Sequence, residues 1–346
     1  MEIFWKILTE FGNLIFWIIL CFSTVYIYPF LPKKMKKIGW VFKFLILSIL
    51  ISYFITGILK NIFKLPRPCV GESFCPEGYS FPSGHSTAIF SAITAIFLKS
   101  KSKKFLPLFL LALLVAYSRV ALRYHTFYDI IAGSLLGIFI SFSTFKIYER
   151  FLAKVKIDKF CMRKIFHLSF ILILYFIDFL PIKFLQIFFL ILSTTFFIFE
   201  ILRLKGIFLS IYEKFISTFT LPNEKKGFLI EPFSFFLSIT ILLFFPFEYF
   251  LIGVIPLVIG DAFSGLVGKK IGKIKIFYNK KKKVEGSFSF FLSTLIPFLY
   301  FFDYKISLIL SLFSTFAESL LSRYENLILP FSTIIFYSIL TYLLLI

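Results

Sequence analysis

The chain has 346 residues, of which 59% are hydrophobic and 21% aromatic, and its formal net charge is +20. No soluble globular domain can bury so much apolar surface, so the composition excludes a soluble protein and indicates one that lies in a bilayer. The basic residues occur in short runs between apolar segments of about 20 residues. This pattern is typical of membrane topology rather than of nucleic-acid binding, and we expect no nucleic-acid partner.

Apolar segments follow one another along the whole chain, each close to the length that a helix needs to cross a bilayer. They lie near residues 4–31, 39–59, 84–98, 105–122, 128–145, 165–181, 184–202, 229–244, 248–266, 287–302, 305–320 and 329–345. We therefore predict an all-α fold, a multi-pass transmembrane bundle of about twelve spanning helices. The basic, polar stretch 146–164 divides it into two predicted domains, 1–150 and 160–346.

The loops between these segments alternate in charge. Basic residues fill the loops 33–37, 99–104, 146–164, 203–226 and 269–283. The positive-inside rule assigns those loops to the cytoplasm and predicts a multi-pass protein of the cell (inner) membrane. The first segment lacks a small-residue cleavage site and is expected to remain as a span. The opposite loops are poor in basic residues, with the exceptions Lys60, Lys64, Arg67, Arg119 and Arg123.

Those exceptions lie in three polar islands of the first half, at 60–68, 82–85 and 118–129, all expected at the outer face. His125 and Asp129 are four residues apart, which places them on one face if the segment is helical, and a carboxylate there can orient the imidazole. Together with His85 and several cations, they form a set that can stabilise a transferring phosphoryl group without a metal. Taken singly, such residues are more often structural.

The three islands resemble the signature of the type 2 phosphatidic acid phosphatase superfamily over residues 40–145: Lys60, six residues, Arg67-Pro68; Pro82-Ser83-Gly84-His85; Ser118-Arg119, five residues, His125, three residues, Asp129. The resemblance implies that His125 attacks phosphorus, Asp129 orients it and His85 protonates the leaving group, with no cofactor. It also implies that the phosphoryl oxygens are held by Lys60, Arg67, Ser83, Gly84 and Arg119. A soluble branch of this superfamily oxidises halides, but the membrane setting favours a lipid phosphate.

The second half has its own polar islands, at 163–167, 260–272, 280–287 and 318–330, all expected on the cytoplasmic side. Acidic residues at membrane depth tend to be functional, and Asp261 with Glu285 forms a candidate magnesium site. The basic run 280–283 can meet phosphates as point charges. The alternative is structural, because lysines are expected in cytoplasmic loops and glycines are common in membrane helices.

These islands resemble the membrane-bound CTP-dependent lipid kinases, namely dolichol kinase, phytol kinase and the yeast-type diacylglycerol kinase, over residues 160–346. The resemblance implies magnesium, CTP and a site formed by Arg163, Lys164, His167, Asp261, Gly265, Lys282, Glu285, Gly286, Ser287, Glu318 and Asn326. Two positions depart from the family pattern. Lys283 stands where Ser or Thr is commoner, and Glu325 stands where an Asp usually precedes Asn326.

The sequence therefore predicts a bifunctional enzyme with a lipid phosphate and a lipid alcohol as substrates, and polyprenyl carrier recycling is favoured. The alternative is a phosphatidate or phosphatidylglycerophosphate phosphatase with a non-catalytic C-terminal scaffold. The lipid and the oligomeric state remain open. Cys69 and Cys75 share a loop, and the sequence leaves open whether they form a disulfide or remain free thiols.

Overall fold

The computed structural model describes residues 2–31, 40–154, 157–207, 209–220, 227–322 and 324–344; the predicted loop lysines at 33–37 and 225–226 lie outside them. The described residues are helical and contain no sheet, only an isolated antiparallel bridge between Lys275 and Lys283. The predicted all-α, multi-span membrane fold is confirmed. The chain divides into two compact units, an N-terminal unit, 1–156, and a C-terminal unit, 157–346.

The N-terminal unit is built from α-helices joined by short 3-10 and π-helical turns. Its α-helices are α1 (Glu2–Thr9), α2 (Leu14–Ile27), α3 (Ile46–Phe63), α4 (Gly84–Ser100), α5 (Pro107–Ala121) and α6 (Phe127–Ile147). Its other turns are Glu10–Gly12, Tyr28–Phe30, Val41–Leu45, Lys103–Phe105 and Tyr148–Leu152. A bend of 59° separates the segments on either side of Asn13, so the first apolar segment is broken rather than straight.

Helix α4 is the centre of the N-terminal unit and packs against α3, α5 and α6. Small residues allow the closest of these contacts: a Cβ on Gly137 of α6 would lie 2.3 Å from the Thr87 carbonyl oxygen of α4. On the other side of α4, the hydroxyls of Ser48 and Ser91 are 2.8 Å apart. Close backbone approach and buried hydroxyl contacts are typical of helix packing inside membranes, where lipid supplies no hydrophobic driving force.

Local capping places the polar islands at one end of the N-terminal unit. Ser83 caps the start of α4, and Thr126 caps α6 in a capping box with Asp129. Helix α3 ends at Phe63, after which Lys64 takes a left-handed conformation with φ of 50°. Because α3 and α5 end where α4 and α6 begin, the three islands lie together. The basic residues near 99–104 lie at the opposite end.

The C-terminal unit contains ten α-helices among the described residues. They are α7 (Lys159–Ser169), α8 (Leu172–Phe179), α9 (Ile182–Leu204), α10 (Ser210–Phe219), α11 (Ile230–Leu242), α12 (Phe247–Val254), α13 (Asp261–Lys270), α14 (Val284–Phe301), α15 (Tyr304–Leu320) and α16 (Glu325–Leu344). A π-helical turn, Ile255–Gly260, joins α12 to α13 into one 24-residue span that is mostly buried.

Glycines set the packing of α13 against α14. A Cβ on Gly286 would lie 3.1 Å from the Ser264 carbonyl oxygen and 3.2 Å from the Gly268 Cα. At Gly260 an added Cβ would lie 2.5 Å from the Phe290 ring. These contacts bring the start of α14 directly beside α13, which places the polar islands 260–272 and 280–287 together.

The number of spans differs from the prediction of about twelve. The described residues contain seven helices long and apolar enough to cross a membrane, or eight if the bent pair Ile3–Gly12 and Leu14–Thr24 counts as one span. Several predicted segments form shorter helices: α4 and α15 have 17 residues each, and α11 has 13. The segment predicted at 165–181 is split between α7 and α8. Hydropathy alone cannot show where an apolar stretch breaks.

We predict that Gly137→Ala destabilises the N-terminal unit by about 1–3 kcal/mol, because its methyl group would push α6 away from α4. The control is Gly57→Ala on α3, where an added Cβ meets nothing within 4 Å. Thermal unfolding in detergent should show a lower Tm for Gly137→Ala and an unchanged or slightly higher Tm for Gly57→Ala. Equal Tm values for wild type and Gly137→Ala would contradict this packing.

Candidate active site

The predicted phosphatase residues of the N-terminal unit meet at the end where α4 and α6 begin. The last turn of α3 supplies Lys60, and the following loop supplies Arg67. Ser83, Gly84 and His85 form the start of α4. The end of α5 supplies Arg119, the loop before α6 supplies His125, and the first turn of α6 supplies Asp129. A backbone hydrogen bond of 3.0 Å from Ser83 N–H to the Asp129 carbonyl ties the two helix starts together.

His125 is nearly fully buried, and each of its ring nitrogens has a polar neighbour. Nε2 lies 3.3 Å from Nη1 of Arg67. On the other side, Nδ1 lies 3.6 Å from Oδ2 of Asp129 and 3.3 Å from Oγ of Ser80. Because a guanidinium can only donate, the contact with Arg67 requires a lone pair on Nε2. The Nε2 atom thus carries the free lone pair of this imidazole.

Backbone carbonyls orient the two cations of the first island. Arg67 donates to the carbonyls of Glu77, Gly78 and Tyr124 at 3.1–3.3 Å. Lys60 donates from Nζ to the carbonyls of Tyr79 and Ser80. These bonds satisfy part of each cation and leave further donors for a ligand.

Arg119 is buried at the end of α5 and has an incompletely satisfied guanidinium. Its Nη1 donates to Oγ1 of Thr9 at 2.7 Å, and its guanidinium lies over the Tyr124 ring at 4.6 Å. Its Nε is buried without a hydrogen-bond partner among the described residues. A buried donor in this condition is costly unless a ligand accepts from it, and an anion such as a phosphoryl oxygen would do so.

The start of α4 adds the positive end of a helix dipole to these cations. Anions bind readily at helix N-termini because unpaired N–H groups point outward there. A neutral imidazole nucleophile, several oriented cations and a helix N-terminus together suit in-line transfer of a phosphoryl group. The residues that the sequence indicated for the first site are thus gathered in one place.

Sequence reasoning missed two residues of this site. Ser80 lies in the loop just ahead of Pro82, where no periodicity marks it, and its hydroxyl donates to Oδ2 of Asp129 at 2.5 Å. Thr9 ends α1, more than one hundred positions before its partner Arg119. Gly12 follows it, and a Cβ there would lie 2.8 Å from the His85 Cβ. The N-terminal segment therefore forms part of the pocket wall.

The loop beside the site also answers the question about the cysteines. Cys69 and Cys75 form a disulfide with a Cα–Cα distance of 5.4 Å, while Cys21 and Cys161 are buried free thiols.

In the C-terminal unit, Lys164, His167 and Asp261 form a buried cluster. Lys164 donates to both Asp261 oxygens at 2.6 Å, and Nδ1 of His167 lies 3.3 Å from Asp261 Oδ2. Gly265 makes this contact possible, because a Cβ there would lie 2.5 Å from Cε of Lys164. The His167 ring stacks on Phe235 at 4.1 Å between centroids.

A second cluster of the C-terminal unit surrounds Glu318. Its carboxylate accepts from Ser264 at 2.7 Å, Ser287 at 3.0 Å and Lys282 at 2.6 Å. Lys282 also donates to Glu325 at 2.7 Å. Burial alone would lower the pKa of Lys282, but the two carboxylates raise it above its usual value, so this side chain stays charged.

A polar cavity of about 450 Å³ joins the two clusters. Six of the residues that line it are basic and two are acidic. The lining residues are Phe160, Arg163, Lys164, Asp261, Ser264, Gly265, Gly268, Lys269, Lys281, Lys282, Lys283, Gly286, Ser322 and Glu325.

Two residues predicted for the second site have other partners. Glu285 accepts from the backbone N–H groups of Lys273 and Ile274 at 2.8–3.2 Å. The Asn326 amide donates to the Glu231 carbonyl at 2.9 Å. The structure therefore does not unite Asp261 and Glu285 as a magnesium pair. Glu285 precedes Gly286 by one residue, or about 100° around α14, and so faces away from the cavity. Within the described residues no three His, Cys, Asp or Glu side chains form a metal-ligand group.

Comparison with known proteins agrees with the first site. Residues 42–153 match the PAP2 superfamily. "Dolichyldiphosphatase 1" of Dictyostelium discoideum is 35% identical over 115 residues, which are 30% of this chain and 50% of that protein. "Undecaprenyl-diphosphatase" of Sulfolobus acidocaldarius is 32% identical over 121 residues, which are 33% of this chain and 57% of that protein. The chain thus spans about half the length of these relatives.

One solved structure was also found: "Crystal structure of the first transmembrane PAP2 type phosphatidylglycerolphosphate phosphatase from Bacillus subtilis" has a TM-score of 0.36 and 20% identity, over 44% of this chain and 79% of that chain. The site and the sequence relatives make the N-terminal region similar to one class of enzymes, the phosphatases. More particularly, this region is similar to the PAP2 superfamily.

We predict that phosphatase activity of the N-terminal unit persists at acid pH. Burial lowers the pKa of His125 to about 4; the Asp129 carboxylate opposes this shift and the nearby cations add to it. Only the neutral imidazole can attack, so a lowered pKa moves the acid limb of kcat/KM to lower pH. Corrected for the ionisation of the substrate phosphate, kcat/KM should fall near pH 4, not near the ordinary value of about 6.5. An acid limb near 6.5 would contradict the burial of His125 described above.

Proposed function

We propose that the N-terminal unit removes the terminal phosphate of a polyprenyl diphosphate through a phosphohistidine at His125. The observation that carries this proposal is the geometry of Nε2, which has a lone pair, faces Arg67 at 3.3 Å and lies in a pocket of oriented cations. The Nε of Arg119, which has no hydrogen-bond partner in the part of the chain that the structure describes, supports it, since a phosphoryl oxygen would supply an acceptor.

The proposed reaction has two displacements at phosphorus. Nε2 of His125 attacks the terminal phosphorus, and the bond to the bridging oxygen breaks, with polyprenyl monophosphate as the leaving group. His85 protonates the leaving oxygen as general acid. Water then gives a proton to His85 and attacks the phosphohistidine, the P–N bond breaks with its electron pair returning to Nε2, and inorganic phosphate leaves. Throughout, Lys60, Arg67 and Arg119 with the N-terminus at Ser83 and Gly84 would stabilise the charge on the phosphoryl oxygens.

The choice of a polyprenyl substrate is supported by the names of the two relatives, which describe enzymes of dolichyl and undecaprenyl diphosphates. Phosphatidate and phosphatidylglycerophosphate are the competing glycerolipid substrates, and the same nucleophile would serve them.

We further propose that this site opens on the outer side of the membrane. The opposite end of the N-terminal unit carries the lysines of 99–104, which the positive-inside rule assigns to the cytoplasm. The disulfide between Cys69 and Cys75, in the loop that supplies Arg67, is compatible with an oxidising compartment.

We predict that detergent-purified protein releases phosphate from polyprenyl diphosphate faster than from phosphatidate, and that this release survives a metal chelator. His125→Ala should lower kcat by roughly 10⁴-fold, the order of loss seen when a nucleophile is removed. Phosphate release by both proteins with both lipids is the measurement.

Tyr128→Phe is the matched control for that experiment, because Tyr128 lies three residues from His125 and is 81% exposed. It should keep wild-type activity. Preference for phosphatidate would replace the polyprenyl proposal with the glycerolipid one. Equal activity of His125→Ala and wild type would refute the histidine mechanism.

We propose a second activity, a nucleotide-dependent lipid kinase, for the C-terminal unit. The observation that favours it is the cavity, whose six basic side chains against two acidic ones suit a polyphosphate. CTP as the phosphate donor comes from the resemblance of the polar islands to lipid kinases. A polyprenol acceptor would make both units feed one pool of polyprenyl monophosphate. The charge rule assigns the basic loop 269–283 to the cytoplasm, where nucleoside triphosphates are found.

Magnesium fits this cavity through Asp261 and Glu325, the two carboxylates that line it. Protein magnesium sites commonly use one or two carboxylates together with substrate phosphates, so a group of three protein ligands is unnecessary. When bound, the ion would neutralise phosphate charge. Lys164 and Lys282, which now pair with these carboxylates, would then turn to phosphoryl oxygens.

We predict that Asp261→Asn lowers CTP-dependent phosphorylation of a lipid alcohol by about 100-fold or more, because it removes the charge shared with Lys164. Transfer of labelled phosphate to polyprenol and to diacylglycerol is the measurement. Asp303→Asn is the control, since Asp303 only caps α15 and Asn caps equally well. Phosphatase activity of the same sample reports intact protein. Absence of transfer by the wild type would favour a non-catalytic C-terminal unit.

A further inference from the structure

Ser80 stands between the two members of the His125–Asp129 pair. The direct distance from His125 Nδ1 to Asp129 Oδ2 is 3.6 Å, too long for a hydrogen bond. The Ser80 hydroxyl lies 2.5 Å from that same carboxylate oxygen and 3.3 Å from Nδ1. Ser80 is 2% exposed, so water does not compete for these contacts.

The donors and acceptors around Ser80 permit one arrangement of protons. The Asp129 carboxylate can only accept, so the single hydroxyl proton of Ser80 points to it. The lone pairs of Oγ then face His125 and can accept a proton from Nδ1. On the far side of the ring, Arg67 can only donate to Nε2. Both contacts independently require the tautomer with hydrogen on Nδ1 and a lone pair on Nε2.

The fold fixes the position of this hydroxyl from both sides of the Ser80 backbone. The Ser80 N–H donates to the Leu65 carbonyl at 2.8 Å, and the Ser80 carbonyl accepts from Nζ of Lys60 at 3.1 Å. Asp129 is held as well, because its Oδ2 also accepts from the Thr126 N–H at 2.7 Å. A hydroxyl with so few degrees of freedom is suited to orient a neighbouring ring.

We propose that Ser80 is a positioning residue of the phosphatase reaction, which links Asp129 to His125 and holds the nucleophile in its reactive tautomer. This inference rests on the proposed phosphatase function. When Nε2 bonds to phosphorus, the ring becomes positively charged, and the Nδ1–H···Oγ and Oγ–H···carboxylate bonds both strengthen. No proton leaves Nδ1 in this step. Attack by water returns the P–N electron pair to Nε2 and restores the starting arrangement.

A purely structural serine would behave differently from a positioning one. Ser91 provides the comparison, because it is also a buried serine of the N-terminal unit and its hydroxyl also has a side-chain partner, the hydroxyl of Ser48 at 2.8 Å. Its loss should lower stability without touching the reacting groups. Ser80→Ala should instead lower kcat by about 10- to 100-fold, as expected for a hydrogen bond to a charged network, and leave KM within about twofold.

The first test compares wild type, Ser80→Ala, Ser80→Thr, Ser91→Ala, Asp129→Asn and the Ser80→Ala/Asp129→Asn double variant on the preferred lipid. If Ser80 acts through Asp129, the double variant should lose no more kcat than Asp129→Asn alone. Ser80→Thr, which keeps the hydroxyl, should recover most of the kcat, and Ser91→Ala should keep it. Multiplicative losses in the double variant, or an unchanged kcat in Ser80→Ala, would overturn the proposal.

The second test needs no substrate, so it separates this proposal from the proposed function. The chain has three histidines, so nitrogen NMR of protein labelled at histidine can be assigned by comparison with His125→Ala. Wild type should show His125 with hydrogen on Nδ1 alone, and Ser80→Ala should show a mixture of tautomers. A mixture in the wild type, or an unchanged spectrum in Ser80→Ala, would overturn the role of Ser80 even if phosphatase activity is present. If the protein gives the expected spectrum but has no phosphatase activity, the role of Ser80 in holding the tautomer stands and the proposed function is refuted.

Discussion

Backbone carbonyls of residues 77–80 hold two of the three cations of the N-terminal site in place, and the geometry around His125 depends on this interaction. Cations near a bilayer are expensive to bury unless their N–H groups find acceptors. Lys60 and Arg67 find them in four consecutive carbonyls of one loop. The same bonds fix the path of the loop that carries Ser80. The same hydrogen bonds therefore orient the two cations and position the Ser80 hydroxyl, and both are in place before a ligand binds.

The two units differ in whether their buried charged side chains form ion pairs. In the C-terminal unit the charges are paired: Asp261 with Lys164, and Glu318 and Glu325 with Lys282. At the N-terminal site the cations outnumber the single carboxylate, that of Asp129, which accepts from a hydroxyl and a backbone N–H rather than from a cation. Pairing keeps a polar cavity stable when it is empty, whereas unpaired cations favour an anion strongly. The paired charges of the C-terminal unit suit a ligand whose binding replaces existing ion pairs. The unpaired cations of the N-terminal site suit an anion that binds without breaking an ion pair.

The sequence predicted those parts of the sites that depend on a contiguous motif. Ser83 to His85 form one helix start, so their placement follows from local geometry. His125 lies ahead of Thr126, the N-cap of α6, so it does not share a helix face with Asp129 as predicted, and the turn before the cap brings the two side chains together. Lys164 and His167 contact Asp261 in the folded chain. The resemblance to lipid kinases predicted this grouping, whereas the spacing of these residues along the sequence did not. Ser80 and Thr9 were missed because their partners lie 49 and 110 positions away. Glu285 was assigned wrongly to the cavity. It precedes Gly286, which lines the cavity, and a step of one residue along α14 turns the side chain to another face of the helix.

The contact between Thr9 and Arg119 shows that residues ahead of the superfamily match contribute to the N-terminal site. The superfamily match starts at residue 42, yet the hydroxyl that satisfies a buried guanidinium of the site comes from residue 9. Gly12, against His85, belongs to the same broken helix. The region defined by similarity therefore lacks residues that help to form the N-terminal site. A fragment cut at the edge of the match would retain every signature residue but lose the Thr9 hydroxyl that accepts a hydrogen bond from Arg119.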